Sequence, residues 1–175
     1  MPAAFSPDGA VGVFESNSIL RAVARSASQE SGLYGEDGYQ ASRIDSFLDA
    51  DLVFAREAQV YLLGIDKISE EGYQRMSAAY EFYLSGIEAT LSDNEYLAGN
   101  SLTIADISFV CDFAQFLREG HYEEQLAGQG LSLISKGGRE EYPRAYEHLL
   151  ELNARPEFSE VMGSYLNWYR RKLEG

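Results

Sequence analysis

Cysteine is almost absent from this chain. Cys111 is the only one among 175 residues, so no intrachain disulfide, Cys-x-x-Cys pair or thiolate metal cluster can form. Histidine is nearly as scarce, and His121 and His148 alone cannot supply a histidine-rich metal site. Basic residues are outnumbered: 14 Lys and Arg stand against 28 Asp and Glu, a formal charge of -14. That balance argues against nucleic acid as a partner, which needs a basic face, and against an anionic membrane surface. No apolar run is long enough to span a bilayer and no signal peptide opens the chain, so the expected compartment is the cytosol. Internal repeats, low-complexity segments, a Ser-His-Asp set and a paired-carboxylate motif are also missing. Gly128-Gln129-Gly130 is too short to cradle a phosphate and reads as a turn.

What is present is core-forming material. Hydrophobic residues make up 45% of the chain and aromatics 13%, enough for one medium domain, or a domain plus a fragment. Ala3-Ala4-Phe5 and Val11-Gly12-Val13-Phe14 flank Ser6-Pro7-Asp8-Gly9, a turn with proline at its second position, so the opening predicts a small antiparallel hairpin. From Ser16 the pattern turns helical, with Ile19, Leu20, Val23 and Ala24 on one face. That helix is expected to stop in the polar stretch Ser26 to Gly32, the one plausible linker.

The remainder reads as mostly helix. One long helix is predicted from Asp37 to about Gly64 and another from Glu70 to Ser92, paired antiparallel. Thr103 is a good helix cap, and Asp106 three residues on completes a capping box in which the Thr hydroxyl accepts from the Asp106 amide and the carboxylate reaches back to the Thr103 amide. Ile104, Ile107, Cys111 and Ala114 then trace a buried stripe, with Cys111 as a small core hydrophobe. Gly128 to Gly138 is loop-like. A helix over Glu140–Leu152 is interrupted early by Pro143, and a last helix follows Pro156.

Three sets of residues are candidates for chemistry. A helix N-terminus after Glu15-Ser16 offers backbone amides and a hydroxyl to a ligand carboxylate, and Glu15 attracts an ammonium group, so the pair suits the charged end of an amino acid. A plain cap by Ser16 beside a solvated Glu15 accounts for the same two residues. Pro2 enters a strand, where a cis bond exposes the backbone of the preceding Met1. Tyr61, Phe109, Phe113 and Phe116 can line an apolar pocket, or simply fill a core.

Taken together these parts resemble the glutathione transferase family. Pro2-Ala3-Ala4-Phe5, Asp8-Gly9 and Phe14-Glu15-Ser16-Asn17-Ser18-Ile19 look like the second half of its thioredoxin-like N-terminal domain. Leu33-Tyr34-Gly35 resembles its linker. Tyr96-Leu97-Ala98-Gly99, Leu102-Thr103-Ile104-Ala105-Asp106 and Arg155-Pro156 resemble its all-helical C-terminal domain. The resemblance implies a mainly α fold: a partial thioredoxin-like domain over 1–27 (hairpin plus one helix), a linker over 28–36 and a helical domain over 37–175. It implies that Glu15 and Ser16 hold the gamma-glutamyl end of glutathione, that Met1 pairs through its backbone before Pro2, and that Thr103 and Asp106 are structural. It implies glutathione as co-substrate with a small apolar electrophile, a homodimer, and no metal. The family's thiol-activating residue falls before Met1, so no catalytic residue is assigned and the 175 residues are expected to be inactive. Of two explanations, a true start upstream and a genuine helical-domain protein with a sheet remnant, the first is favoured, because a two-stranded remnant leaves a helix face and an edge strand uncovered. The gamma subunit of elongation factor 1 resembles the same pattern, so the alternative is a non-catalytic protein-association module.

Overall fold

The structure, a computed structural model, describes residues 3–27 and 31–174, with the side chains of all of these except 168 and 172–174. Met1 and Pro2, two of the expected ligand contacts, lie outside the described residues. Strand β1 (Ala3–Phe5) pairs antiparallel with β2 (Gly12–Phe14), setting Ala3 against Phe14, Ala4 against Val13 and Phe5 against Gly12. The turn between them is fixed locally. The Gly9 amide donates to the Ser6 carbonyl at 2.7 Å, and Gly9 sits at φ 72°, which glycine adopts without a Cβ clash. The Asp8 carboxylate accepts from the Ser6 hydroxyl at 2.6 Å and the Ala10 amide at 3.0 Å, and the Ser6 bond, the larger influence, holds this exposed carboxyl below its usual range.

Helix α1 (Ser16–Ser26) packs on the hairpin and stops where the polar stretch predicts. Its buried face is rotated from expectation. Asn17 and Ala24 are the buried positions, Ile19 and Leu20 are half-buried, and Val23 is 61% exposed. The reason is that Asn17 has buried hydrogen-bond partners, so a polar residue occupies a core position that an apolar pattern cannot reveal.

Helix α2 (Gly38–Gly64) begins one residue later than predicted, because the Asp37 carboxylate caps it by accepting from the Tyr39 and Gln40 amides at 2.8 and 2.9 Å. Gly35 before it is obligatory: φ is 80°, and an added Cβ would lie 2.7 Å from the Gln40 Cβ. Helix α3 (Glu70–Thr90) is capped by Ser69, which accepts from the Gly72 amide at 3.1 Å. The predicted antiparallel pairing is present: Phe54 stacks on Tyr83, Glu57 pairs with Arg75 and Tyr61 meets Tyr73, so rising numbers on α2 meet falling numbers on α3.

Helix α4 (Ile104–Phe116) is buried on nearly all sides. Of the expected stripe, Ile104 and Ala114 are buried, but Ile107 and Cys111 are only half-buried, and Phe109, Val110 and Phe113 are buried instead. A 3-10 turn, Leu117–Tyr122, continues it into α5 (Glu123–Gly128). The predicted helix over 140–152 is split into a single turn, α6 (Gly138–Glu141), and α7 (Pro143–Ala154), because Pro143 has no amide to give to a continuous helix and sits well only in a first turn. The last predicted helix is also divided: α8 (Pro156–Met162), a 3-10 turn at Gly163–Leu166, then α9 (Asn167–Glu174).

By packing the chain forms two units. One comprises Met1–Leu52 with Asn94–Ser108, the other Val53–Asp93 with Phe109–Gly175. Helices α2 and α4 each pass from one unit into the other. Among the described residues no helix is long and apolar enough to cross a membrane.

Candidate functional site

The residue at the entrance to α1 is unusual. Glu15 has φ 68° and ψ 130°, the one positive φ among the described non-glycine residues. An L side chain at that φ crowds its own backbone, and ψ 130° lies outside even the left-handed helical well. Such a conformation costs on the order of 1–3 kcal/mol and persists only where the surroundings impose it. Here the Glu15 carbonyl accepts the Ile19 amide at 3.0 Å, so the strained residue is itself the cap position of α1. This corrects the plain-cap reading of Ser16: Ser16 is the first helical residue, exposed, and the Glu15 side chain makes no capping hydrogen bond. The first-turn amides of α1 stand at the positive end of the helix with no acidic side chain in that turn. The arrangement presents amides, a hydroxyl and a half-buried carboxylate within three consecutive residues.

The turn is anchored from below. Asn17 donates to the Leu48 carbonyl on α2 at 2.7 Å, and its side-chain oxygen accepts the Ser108 hydroxyl of α4 at 3.0 Å. The Ser108 hydroxyl also makes a short contact with the Asp51 carboxylate. All three side chains are buried, at 5%, 1% and 3% exposure for Asn17, Asp51 and Ser108. Further along α1, Arg21 pairs with Asp45 and with Asp49 of α2. Asp45 also accepts from the Tyr34 hydroxyl at 2.8 and 2.9 Å. Although burial pushes the other way, the hydrogen bonds from Arg21 and Tyr34 hold the Asp45 carboxyl below its usual range. The α1 entrance therefore rests on a buried polar cluster and an ion-paired flank. The sequence pattern shows none of this, because Asn17, Asp51 and Ser108 are far apart in sequence and each is an ordinary residue alone.

Thr103 and Asp106 form a cap of the expected kind with different wiring. The Asp106 carboxylate accepts from the Thr103 amide at 2.9 Å, as predicted. The Thr103 hydroxyl does not receive the Asp106 amide. It donates to the carboxylate at 3.0 Å and accepts from the Ala105 amide at 3.3 Å, while the Asp106 amide goes to the Thr103 carbonyl at 3.2 Å. The other carboxylate oxygen accepts the Leu97 amide at 2.9 Å, so Asp106 also ties down the Tyr96-Leu97-Ala98-Gly99 turn.

Tyr61, Phe109, Phe113 and Phe116 are brought together in the second unit, each at 0–1% exposure. Phe113 is in ring contact with Phe109, Phe116 and Tyr146 at centroid distances of 5.4, 6.5 and 5.0 Å, and Tyr61 with Phe116 at 6.3 Å. These are core positions, and a ligand would meet them only by displacing packed rings. Burial drives the Tyr61, Tyr80 and Tyr146 phenols far above their ordinary range, so they are neutral at any physiological pH. Among the described residues no group of three His, Cys, Asp or Glu side chains is placed to hold a metal ion.

With this geometry in place, comparison with known proteins is informative. The family model described as "Glutathione S-transferase, C-terminal domain" matches residues 44–156. Elongation factor 1-gamma 1 of Oryza sativa subsp. japonica is 29% identical over 168 residues, which are 93% of this chain and 36% of that protein. The chain thus spans about a third of the length of the curated relatives of this kind that it matches. The glutathione S-transferase-like protein FUS3 of Gibberella moniliformis is 26% identical over 170 residues, 93% of this chain and 70% of that protein. Among solved structures, a glutathione S-transferase from Methylobacillus flagellatus with GSH bound superposes with a TM-score of 0.72 at 15% identity, covering 91% of this chain and 74% of that chain. At that identity the likeness concerns the fold.

Proposed function

The chain belongs to the family of the glutathione S-transferase C-terminal domain, and from that premise we propose that it binds glutathione through its gamma-glutamyl end at Glu15 and Ser16. The ligand's alpha-carboxylate takes the first-turn amides of α1 and the Ser16 hydroxyl, and its alpha-ammonium takes the Glu15 carboxylate. The observation that carries this reading is the strained backbone of Glu15 at φ 68°, ψ 130° directly before an exposed first-turn serine. Strain held in place by a buried polar cluster is a cost that a simple helix start does not need. The Methylobacillus flagellatus neighbour, of the same fold, has GSH bound, which supports the choice of ligand.

On this reading the whole protein delivers glutathione to a small apolar electrophile, as a dimer in the cytosol. Family membership supports each of these, and the division 1–27, 28–36 and 37–175 goes with them. Thr103 and Asp106 keep a structural role. A second reading, a protein-association module, is favoured by the alignment with elongation factor 1-gamma proteins over 93% of the chain. Val53, Val60 and Leu63, seven and ten residues apart on α2, are 60–84% exposed and offer an apolar stripe to a protein partner.

Calorimetric titration with glutathione separates the two. The first reading expects saturable binding, weakened at least about tenfold by Glu15→Ala or Ser16→Ala, the loss of one charge-assisted hydrogen bond. Absence of binding by the unaltered chain favours the association module. Binding that survives both substitutions unchanged removes these residues from the site.

A further inference from the structure

Glu119 is a buried acid that the proposed function does not use. It sits in the 3-10 turn after α4 at 0% exposure. Its Oε2 accepts from the Tyr61 hydroxyl at 2.9 Å and the Ile134 amide at 3.2 Å, and its Oε1 accepts from the Ser135 amide at 2.7 Å. Two of these partners are consecutive amides of one segment, residues 131–137, which leads into α6, and the Ser135 hydroxyl is a further side-chain partner. That segment is fastened once more where the Tyr73 hydroxyl donates to the Ser132 carbonyl at 2.9 Å. Among the described residues no Lys, Arg or His is paired with Glu119, and its neighbours Arg118 and His121 are exposed. Tyr61 on α2, Ser135 and the two amides of the segment hydrogen-bond to it, and the phenols of Tyr73 and Tyr80 on α3 and Tyr146 on α7 feel its charge.

We propose that Glu119 is a proton-operated latch for residues 131–137: the ionised carboxylate holds both amides, and protonation releases the Ile134 amide. An ionised carboxylate is acceptor-only and satisfies all of these donors, whereas a carboxylic acid must place its own O–H on an acceptor. Of these partners only the hydroxyls of Tyr61 and Ser135 can turn to accept. The proton goes to Oε2 and points at Tyr61, because this gives up the longer amide bond, 3.2 Å from Ile134, and keeps the 2.7 Å bond from the Ser135 amide on Oε1. Burial, the dominant influence on this group, raises its pKa above the ordinary glutamate value.

The test is residue-resolved amide hydrogen exchange on the whole chain between about pH 5 and 8, corrected for intrinsic exchange. Below the Glu119 midpoint, Ile134 protection is expected to fall by up to about tenfold per pH unit, following the ionised fraction, while amides in the middle of α3 hold theirs. In Glu119→Gln the Ile134 protection is expected to be low and independent of pH. Ile134 protection that does not change with pH in the unaltered chain overturns the latch, whether or not the variant folds. So does a pH dependence that survives in Glu119→Gln.

Discussion

The first unit buries Asn17, Asp51, Thr103, Asp106 and Ser108 alongside a small set of apolar side chains such as Ile44, Leu48 and Leu97. The second buries ring against ring, with Phe54, Tyr61, Tyr80, Tyr83, Phe109, Phe113, Phe116 and Tyr146 all nearly inaccessible. Apolar burial is non-directional and tolerates many arrangements of similar volume. Buried hydrogen bonds are directional and penalise every unmet donor, so they fix one geometry. The difference teaches where each property is stored: the ring core holds the stability, and the polar cluster holds the position of the strained α1 entrance.

The comparison can be broken first at Phe113. Replacing it by Ala removes a ring in contact with Phe54, Tyr80, Phe109, Phe116 and Tyr146, and is expected to cost about 3–5 kcal/mol in urea unfolding. A loss under about 1 kcal/mol would show that the rings are loosely packed. Asp106→Ala comes next. It strips the acceptor from the Leu97 amide, the Thr103 amide and the Thr103 hydroxyl, for an expected loss of about 2–3 kcal/mol. Thr103→Ala should lose less, about 0.5–2 kcal/mol, with ligand preference intact. Equal losses from the two would mean that the acid is not the hub of the cap.

Glu119 tests the second unit's main departure from an apolar core. Its folded pKa is raised by burial, so its contribution to stability is present below the ordinary glutamate range and is lost as pH rises through the raised value. Unfolding free energy should therefore slope downward with pH there, by at most about 1.4 kcal/mol per unit, and Glu119→Gln should remove that part of the slope. An unchanged slope in the variant assigns the effect to another group. The smallest expected effect is the most telling for the site. Glu15→Gly relieves the positive φ and should raise stability by about 1 kcal/mol while weakening glutathione binding. A variant that gains stability and keeps its affinity would show that the strain serves nothing at this position.

The sequence by itself determined the hairpin, the first helix, the α2–α3 pair and the Thr103–Asp106 cap. Each rests on short-range rules: a proline-led turn, apolar spacing, a side chain reaching its own helix terminus. It also pointed to Glu15 and Ser16, through residue types suited to an amino-acid end. Only the tertiary structure decided that Glu15 is strained, that Val23 is exposed where Asn17 is buried, and that Tyr61 and the three phenylalanines are packed as core. It alone joined Asn17 to Ser108 and Glu119 to Ile134 and Ser135, 91, 15 and 16 residues apart. The physical reason is range: a cap or a turn is closed by neighbours along the chain, whereas a buried polar atom is satisfied by whatever partner the packing of distant helices brings within hydrogen-bond reach.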